Sequence, residues 1–285
     1  MKNPQDFYLQ PGERTKVKKG TFSSFSNDIP GIRDTIHHLL IHPEVLHLYN
    51  LNLPSDRISD RSLKTVSNII GRIRQIKKQP LPVYRDPADR VVNICRQFAM
   101  FLCSVLREKG IPARCRCGFA TYFVNGWFED HWICEYWNKK EKRWLMVDPQ
   151  LDDLQILECH IDRDNLNLTD LLPGSFFPGG AIWKMYRQGL ISGQLCGFSL
   201  EKGDQGEWYI RGNMLRDYFA LNKMEYTYRE INNLMDRNYL PNEEELLLLD
   251  KIADLTLGIN SNFNDFISFA EQGQNLLPAV RENNK

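Results

Sequence analysis

The apolar residues of the chain recur with two different periods, and the change between them divides its central part into two kinds of structure. Between residues 95 and 106 they recur at helical spacing, and Gly110 and Pro112 end that pattern. From residue 115 to 148 the chain reads as extended stretches, separated by Asn125-Gly126 and by a charged turn. The pattern therefore predicts a buried helix followed by an antiparallel meander.

Helical patterns also flank this central segment. The first 28 residues are polar, and we expect them to form a loop laid on the surface. The other elements that the pattern predicts are helices over 32–42, 63–76, 213–223, 242–257 and 262–272, and a strand over 207–211. We therefore divide the chain into an N-terminal arm with helices (1–84), a central core (85–160) and a mainly helical C-terminal extension (161–285) within the same globule.

Three residues of the core carry candidate chemistry. Cys95 begins the buried helix, where backbone N–H groups and the helix dipole favour a thiolate, and such surroundings lower a thiol pKa from about 8.5 to roughly 3.5–7.5. Asn93 is expected to cap this helix or to take a positive φ. The meander predicts His131 and Asp148 on neighbouring strands, at the same end of the sheet. A carboxylate that holds one imidazole nitrogen leaves the other to take the thiol proton, so we interpret the three as nucleophile, base and orienting carboxylate.

Each of these residues also has a structural interpretation. Cys95 could be a buried core residue, His131 a strand residue packed on Trp132, and Asp148 a turn starter before Pro149. Asp130 next to His131 should point to the opposite face of the strand, which makes it a poor orienting group. Residues 152 and 153, both aspartates, are the alternatives to Asp148 for that role.

A zinc site is the next alternative, and the spacing of the possible ligands argues against it. Structural zinc sites need paired ligands separated by a turn, and C-x-C on a strand lacks that turn. We therefore predict neither a metal nor a cofactor. The residues considered for the zinc set are Cys115, Cys117, His131, Cys134, Cys159 and His160. Four other histidines, His37, His38, His42 and His47, are expected at the surface, since no carboxylate completes a set with them.

The substrate contacts are less sharply defined. The backbone N–H of Cys95 should form part of the oxyanion hole, and Tyr84 and Trp127 are candidates for one more donor from the wall of the cleft. Gln97 is expected on the surface of the helix. In the extension, Arg211, Asn213 and Arg216 belong to a dense polar set that could bind an anionic part of a substrate. The same set could instead be a network that ties the extension to the core.

Three stretches of the core resemble the transglutaminase-like superfamily, which has the order Cys, His, Asp. They are CRQFAMFLCSVLREKGIPARCRCGF around Cys95, DHWICEYW around His131 and RWLMVDPQLD around Asp148, and the most specific piece is 106–114. The resemblance implies a papain-like α+β core with the catalytic helix packed on an antiparallel sheet, and a thioester intermediate formed from an amide, ester or thioester. Asn93 and Arg96 stand where transamidating members usually have glycine and tryptophan, which weakens the inference to protein crosslinking. Residues 208–225 resemble a tail of bacterial stand-alone members.

Composition restricts the class of protein. The chain has 285 residues, of which 42% are hydrophobic and 25% charged, and its formal net charge is zero, so no bulk attraction to nucleic acid or to an anionic membrane is indicated. No apolar run is long enough to cross a bilayer. Seven cysteines and an opening stretch without an apolar core predict reduced thiols and a cytoplasmic protein.

Three classes of function remain open at this point. The first is a transglutaminase-like enzyme that passes an acyl group to an amine or to water, acting on a peptide, a carrier-bound acyl group or a small-molecule amide. The second is a cysteine peptidase or amidase that acts on peptides. The third is a catalytically inactive binding protein that keeps the fold. The sequence indicates no oligomeric state.

Overall fold

A computed structural model describes residues 3–164, 166–198 and 204–272 of the chain; residues 273–285, where the predicted extension ends, lie outside them. The helices are α1 Pro4–Leu9, α2 Ile29–Leu39, α3 Ser55–Ile58, α4 Val66–Ile76, α5 Cys95–Glu108, α6 Asp153–Glu158, α7 Gly179–Arg187, α8 Glu207–Leu221, α9 Glu243–Leu257 and α10 Phe263–Gln272. The strands are β1 Leu40–Ile41, β2 Val91–Val92, β3 Ala113–Ala120, β4 Phe128–Asn138, β5 Arg143–Val147, β6 Phe176–Pro178 and β7 Cys196–Gly197. No helix within these three ranges is long and apolar enough to span a bilayer.

The main sheet has the predicted antiparallel character. Its strand order is β5-β4-β3-β6, with β7 parallel to β4, and the pairs β4–β5 and β3–β6 are antiparallel. In the β4–β5 pair, Cys134 lies opposite Val147. Gly126 takes a φ of 76° in the connection from β3 to β4, as the Asn-Gly signal predicts. The α+β class is therefore confirmed.

The chain forms two compact units. The first comprises residues 5–115 and 132–172, and the second comprises residues 1–4, 116–131 and 173–285. Strands β3 and β4 run through both units. Each unit has its own set of packed helices.

In the first unit, α5 is the central element. Every residue of α5 from Cys95 to Arg107 is buried, and α2 and α4 pack against it. Gly110 follows the helix with a φ of 76°, the left-handed conformation that favours glycine after a helix end. A second parallel pair, β1 with β2, leads the chain into α5.

The N-terminal stretch is not the surface loop that its polarity predicts. It contains α1, and its scattered apolar side chains Tyr8, Phe22 and Phe25 are buried. Ser104 of α5 donates a hydrogen bond to the carbonyl of Thr15 at 2.7 Å. The prediction was wrong because these apolar residues are spaced irregularly along the chain and leave no period in the sequence, although Phe22 and Phe25 pack together against Phe101.

In the second unit, α7, α8 and α9 pack on one another. A Cβ at Gly179 would lie 2.6 Å from Cα of Met214, so only glycine permits this approach of α7 to α8. The strand predicted over 207–211 is wrong, since these residues form the first turns of α8. Residues 209–221 of α8 are all buried, and the buried polar residues Arg211 and Asn213 interrupt the apolar period at the start of the helix.

A buried ion pair joins β3 to α8 within the second unit. Nε and Nη2 of Arg116 each lie 2.8 Å from a carboxylate oxygen of Asp217, and the backbone N–H of Cys117 donates to the same carboxylate at 3.0 Å. Asp217 is 0% exposed and Arg116 4% exposed, so neither charge is solvated by bulk water. Removing one charge would take this ion pair and its hydrogen bonds from the other charge, which would stay buried.

We expect Asp217→Ala to lower the free energy of unfolding by about 3–5 kcal/mol, because it removes a carboxylate that binds the buried Arg116 guanidinium through two hydrogen bonds. The double variant Arg116→Leu/Asp217→Leu removes both charges and should recover much of the loss. Urea unfolding followed by circular dichroism measures both. A loss below about 1 kcal/mol for the single variant would show that the pair does not hold α8 to the sheet.

Candidate active site

Helix α5 begins at Cys95, as the sequence predicts. Ile94 is the N-cap residue, with an extended backbone (φ −100°, ψ 172°) and no side-chain cap, and Cys95 is 7% exposed. The capping role predicted for Asn93 is wrong. Its side-chain amide instead donates to the carbonyls of Val92 at 2.8 Å and Asp60 at 3.1 Å, which fixes the segment that enters the helix.

Gln97 stabilises the first turn of α5 from inside the protein. It is 1% exposed, so the expected surface position is wrong. Its Oε1 accepts from the backbone N–H of Ile94 at 3.3 Å, and its Nε2 donates to the carbonyls of Arg61 at 2.7 Å and Leu63 at 3.1 Å. A polar side chain two residues from Cys95 therefore anchors the helix start to the segment before α4.

His131 lies in β4 and is 2% exposed. Two aromatic rings from the β3–β4 connection stand edge-on to its imidazole, Phe123 at a centroid distance of 5.1 Å and Tyr122 at 6.1 Å. These rings keep part of the imidazole surface from water. They also restrict the directions in which the ring can turn.

Asp130, beside His131, is held by α8. Its carboxylate accepts from Asn213 Nδ2 at 2.7 Å and from the hydroxyl of Tyr209 at 2.9 Å. Burial raises the pKa of Asp130, although hydrogen bonds from Tyr228, Asn213 and Tyr209 and the positive charge of Arg216 oppose that shift. Burial likewise raises the pKa of Tyr209. These contacts agree with the prediction that Asp130 is not the group that orients His131.

The polar set of the extension is bonded to other residues of the second unit, among them Asp130 and Gly118, which accept from Asn213. Arg211 is fully buried, and its guanidinium donates to the Glu207 carboxylate and to the carbonyls of Leu234 and Tyr239. Arg216 Nη1 donates to Asn213 Oδ1 at 3.3 Å. These contacts favour the network interpretation of Arg211, Asn213 and Arg216 over a role in binding substrate.

Asp148 follows the last residue of β5 and is fully buried. Its backbone N–H donates to the carbonyl of Leu168 at 2.9 Å. Its Oδ1 accepts from the backbone N–H of Gln150 at 2.7 Å, a local turn in which the carboxylate closes the ring. The direction of the carboxylate is therefore coupled to the backbone of the turn.

The four histidines near α2 are not all surface residues. His47 is exposed, as expected, whereas His42 is 6% exposed and its Nδ1 accepts from the backbone N–H of Glu44. His37 is partly buried, and its Nε2 lies 3.0 Å from the carbonyl oxygen of Pro149. The sequence gives no sign of this contact, because it joins residues 112 positions apart.

The pKa of His37 is lowered to about 4 from its usual 6.5, first because the ring is removed from water and second because Arg33 is positively charged; Asp152, Asp148 and the Pro149 carbonyl oppose the shift. The unfolded chain therefore binds this proton near pH 6.5, and the folded chain binds it only near pH 4. Stability should fall as the pH falls through this window.

Between pH 7 and pH 4, we expect the free energy of unfolding of the wild type to fall by on the order of 2 kcal/mol more than that of His37→Gln. The raised pKa of Asp130 contributes stability as the pH falls, but this contribution is the same in both proteins and cancels in the comparison. Urea titrations at a series of pH values test this. Parallel curves for the two proteins from pH 7 to pH 4 would contradict it.

The two candidates for cleft contacts differ in accessibility. Tyr84 is 55% exposed, and its ring lies 4.8 Å from that of His38. Trp127 is 5% exposed, and its indole N–H donates to the Glu129 carboxylate at 2.6 Å. That bond occupies the donor that an oxyanion would need.

The alternative acids have other contacts. Asp152 caps α6 by accepting from the backbone N–H of Gln155 at 2.9 Å, and it also accepts from the hydroxyl of Tyr49. Asp153 pairs with Arg163 at 2.9 Å at the surface. Among the residues that the structure describes, no three His, Cys, Asp or Glu side chains gather to hold a metal ion.

Comparison with known families supports the predicted resemblance. Residues 57–149 match the family model of the transglutaminase-like superfamily. This range includes both Cys95 and Asp148. A search of curated proteins found no match to the chain. The superfamily generally uses cysteine-based catalysis and is typically enzymatic. About a third of the chain, residues 57–149, is therefore similar to the transglutaminase-like superfamily, and the mixed helix and sheet structure is consistent with a papain-like core.

Proposed function

We propose that the protein is a cysteine enzyme that transfers an acyl group through a thioester on Cys95, with His131 as base and Asp148 as orienting carboxylate. The observation that carries this proposal is Cys95 itself. It is the first residue of a buried helix, inside the matched domain, and its position is fixed by Gln97. A helix start is a place where proteins stabilise thiolates.

The burial of His131 and Asp148 supports the roles proposed for them. His131 lies in β4 and is 2% exposed, and Asp148 follows β5 and is fully buried. Burying a polar or charged side chain is costly unless it has a polar partner, so both side chains are placed where a structural or chemical role must offset that cost.

The chemistry follows from these roles. His131 takes the proton of the Cys95 thiol, and the thiolate attacks the carbonyl carbon of an amide, ester or thioester. Backbone N–H groups at the start of α5 stabilise the oxyanion, and the imidazolium returns its proton to the leaving group as the old acyl bond breaks. An amine or a water molecule then attacks the thioester, loses a proton to His131 and releases the thiolate.

The acyl acceptor separates transfer from hydrolysis. Substrates in keeping with this chemistry are a peptide, a carrier-bound acyl group or a small-molecule amide. If transfer dominates, a primary amine intercepts the thioester and the amide product accumulates. If hydrolysis dominates, adding the amine changes the rate and the products of the reaction little.

p-Nitrophenyl acetate is a simple acyl donor with which to test the proposal. We expect an acetyl group on the peptide that contains Cys95, and we expect methylamine to increase its turnover if transfer dominates. Cys159→Ser is the control, because Cys159 is exposed and could be acetylated without catalysis. Acetylation of Cys159 alone, with none on Cys95, would contradict the proposed function.

A further inference from the structure

We propose that Arg33 and His37 of α2 are positioning residues for Asp148: together they hold the backbone of residues 148–151 and thereby fix the direction of the Asp148 carboxylate. The effect on catalysis rests on the role proposed above for Asp148. The mechanical part of the proposal stands on contacts within the first unit alone.

Two side chains of α2 donate to three carbonyls of this short segment. Arg33 Nε lies 2.7 Å from the carbonyl oxygen of Asp148, and Arg33 Nη2 lies 2.8 Å from that of Leu151. His37 Nε2 lies 3.0 Å from the carbonyl oxygen of Pro149. Arg33 and His37 are four residues apart and therefore lie on one face of the helix.

The chemistry of these groups assigns the proton of His37. A carbonyl oxygen only accepts hydrogen bonds, so the imidazole must carry its proton on Nε2. Because the pKa of His37 is lowered to about 4, the ring is neutral at neutral pH and this is the tautomer that the contact requires. Of the two donors, Arg33 and His37, it is the Arg33 guanidinium that carries a permanent positive charge.

The held segment includes the turn that directs the carboxylate. Gln150 donates its backbone N–H to Asp148 Oδ1, so the carboxylate moves whenever the turn moves. At its far end the segment continues into Asp152, which caps α6. Between the end of β5 and the start of α6, the donors of α2 bind the backbone at residues 148, 149 and 151.

The exchange rate of the Gln150 amide tests the mechanical part directly. In Arg33→Met, which keeps the aliphatic stem and loses the donors, we expect this amide to exchange about tenfold faster by NMR, while the amides of β5 change little. His37→Leu should act in the same direction, and His37→Gln, which keeps an N–H donor, should lose less. Asp34→Asn is the matched control, since Asp34 lies on the same helix with an exposed side chain.

Acylation of Cys95 by p-nitrophenyl acetate tests the catalytic part. We expect Arg33→Met to lower the maximal acylation rate by about 10- to 100-fold with little change in the half-saturating concentration, since misplacement by about an ångström costs that much. A Gln150 amide that exchanges at the wild-type rate in both Arg33→Met and His37→Leu would overturn the proposal. Faster exchange with unchanged acylation would overturn its catalytic part.

These outcomes are separate from a failure of the proposed function. If wild-type Cys95 is not acetylated at all, the proposed function fails, and the exchange of the Gln150 amide still decides whether α2 holds the turn. A fall in rate that only follows the folded fraction, measured by circular dichroism on the same samples, would assign Arg33 and His37 a purely structural role.

Discussion

Cys95→Ala is expected to abolish acylation by p-nitrophenyl acetate and turnover of any amide substrate, while the fold stays intact. The loss is complete because no other group in the mechanism can form the thioester. The fold should tolerate the change, since alanine has the highest helix propensity and the side chain removed is small. We expect the free energy of unfolding to fall by about 1 kcal/mol or less.

Cys103→Ala is the matched control for this experiment. Cys103 is a buried cysteine of the same helix, so its replacement removes a similar volume from α5. Acylation followed by release of p-nitrophenolate, with circular dichroism on the same samples, compares the two variants. Undiminished acylation in Cys95→Ala would contradict the assignment of the nucleophile.

Asp148→Asn is expected to lower kcat by about 10²- to 10⁴-fold and to change KM much less. The substitution is informative because the side-chain oxygen of asparagine can still accept from the backbone N–H of Gln150. The turn should therefore persist, and what is lost is the negative charge that favours the correct imidazole tautomer and stabilises the imidazolium of His131.

Asp153→Asn is the control for Asp148→Asn, because Asp153 is a surface residue of the same stretch that pairs with Arg163. It should retain the wild-type kcat. If Asp148→Asn also retains it while remaining folded, another group orients His131, and Asp148 serves only to close its turn.

The central helix and the sheet could be predicted from the sequence because their signals are local. The apolar spacing after Cys95, the glycine at position 110 and the Asn125-Gly126 turn each specify the conformation of a few consecutive residues. Where the signal was not local, the prediction failed. Helix α8 is buried on all sides, and its first residues, which include Tyr209, read equally well as a strand.

The contacts around Asp148 and Cys95 could not be predicted for a related reason. His37 and Arg33 act on a turn more than a hundred residues away, and Gln97 anchors its helix to carbonyls that precede it by more than thirty residues. Such contacts depend on tertiary structure alone. A buried glutamine or histidine leaves no periodic signal by which its carbonyl acceptor could be identified.

The most direct test of the account is the rate of alkylation of Cys95 by iodoacetamide relative to Cys159 at pH 6. Burial raises the pKa of the Cys159 thiol, as do the charges of Glu158, Asp152 and Glu44, so this exposed cysteine holds very little thiolate in acid. If Cys95 is the nucleophile, it should react about tenfold faster than Cys159 at pH 6 although it is only 7% exposed, and the difference should narrow towards pH 9. Faster alkylation of Cys159 at every pH would contradict the account.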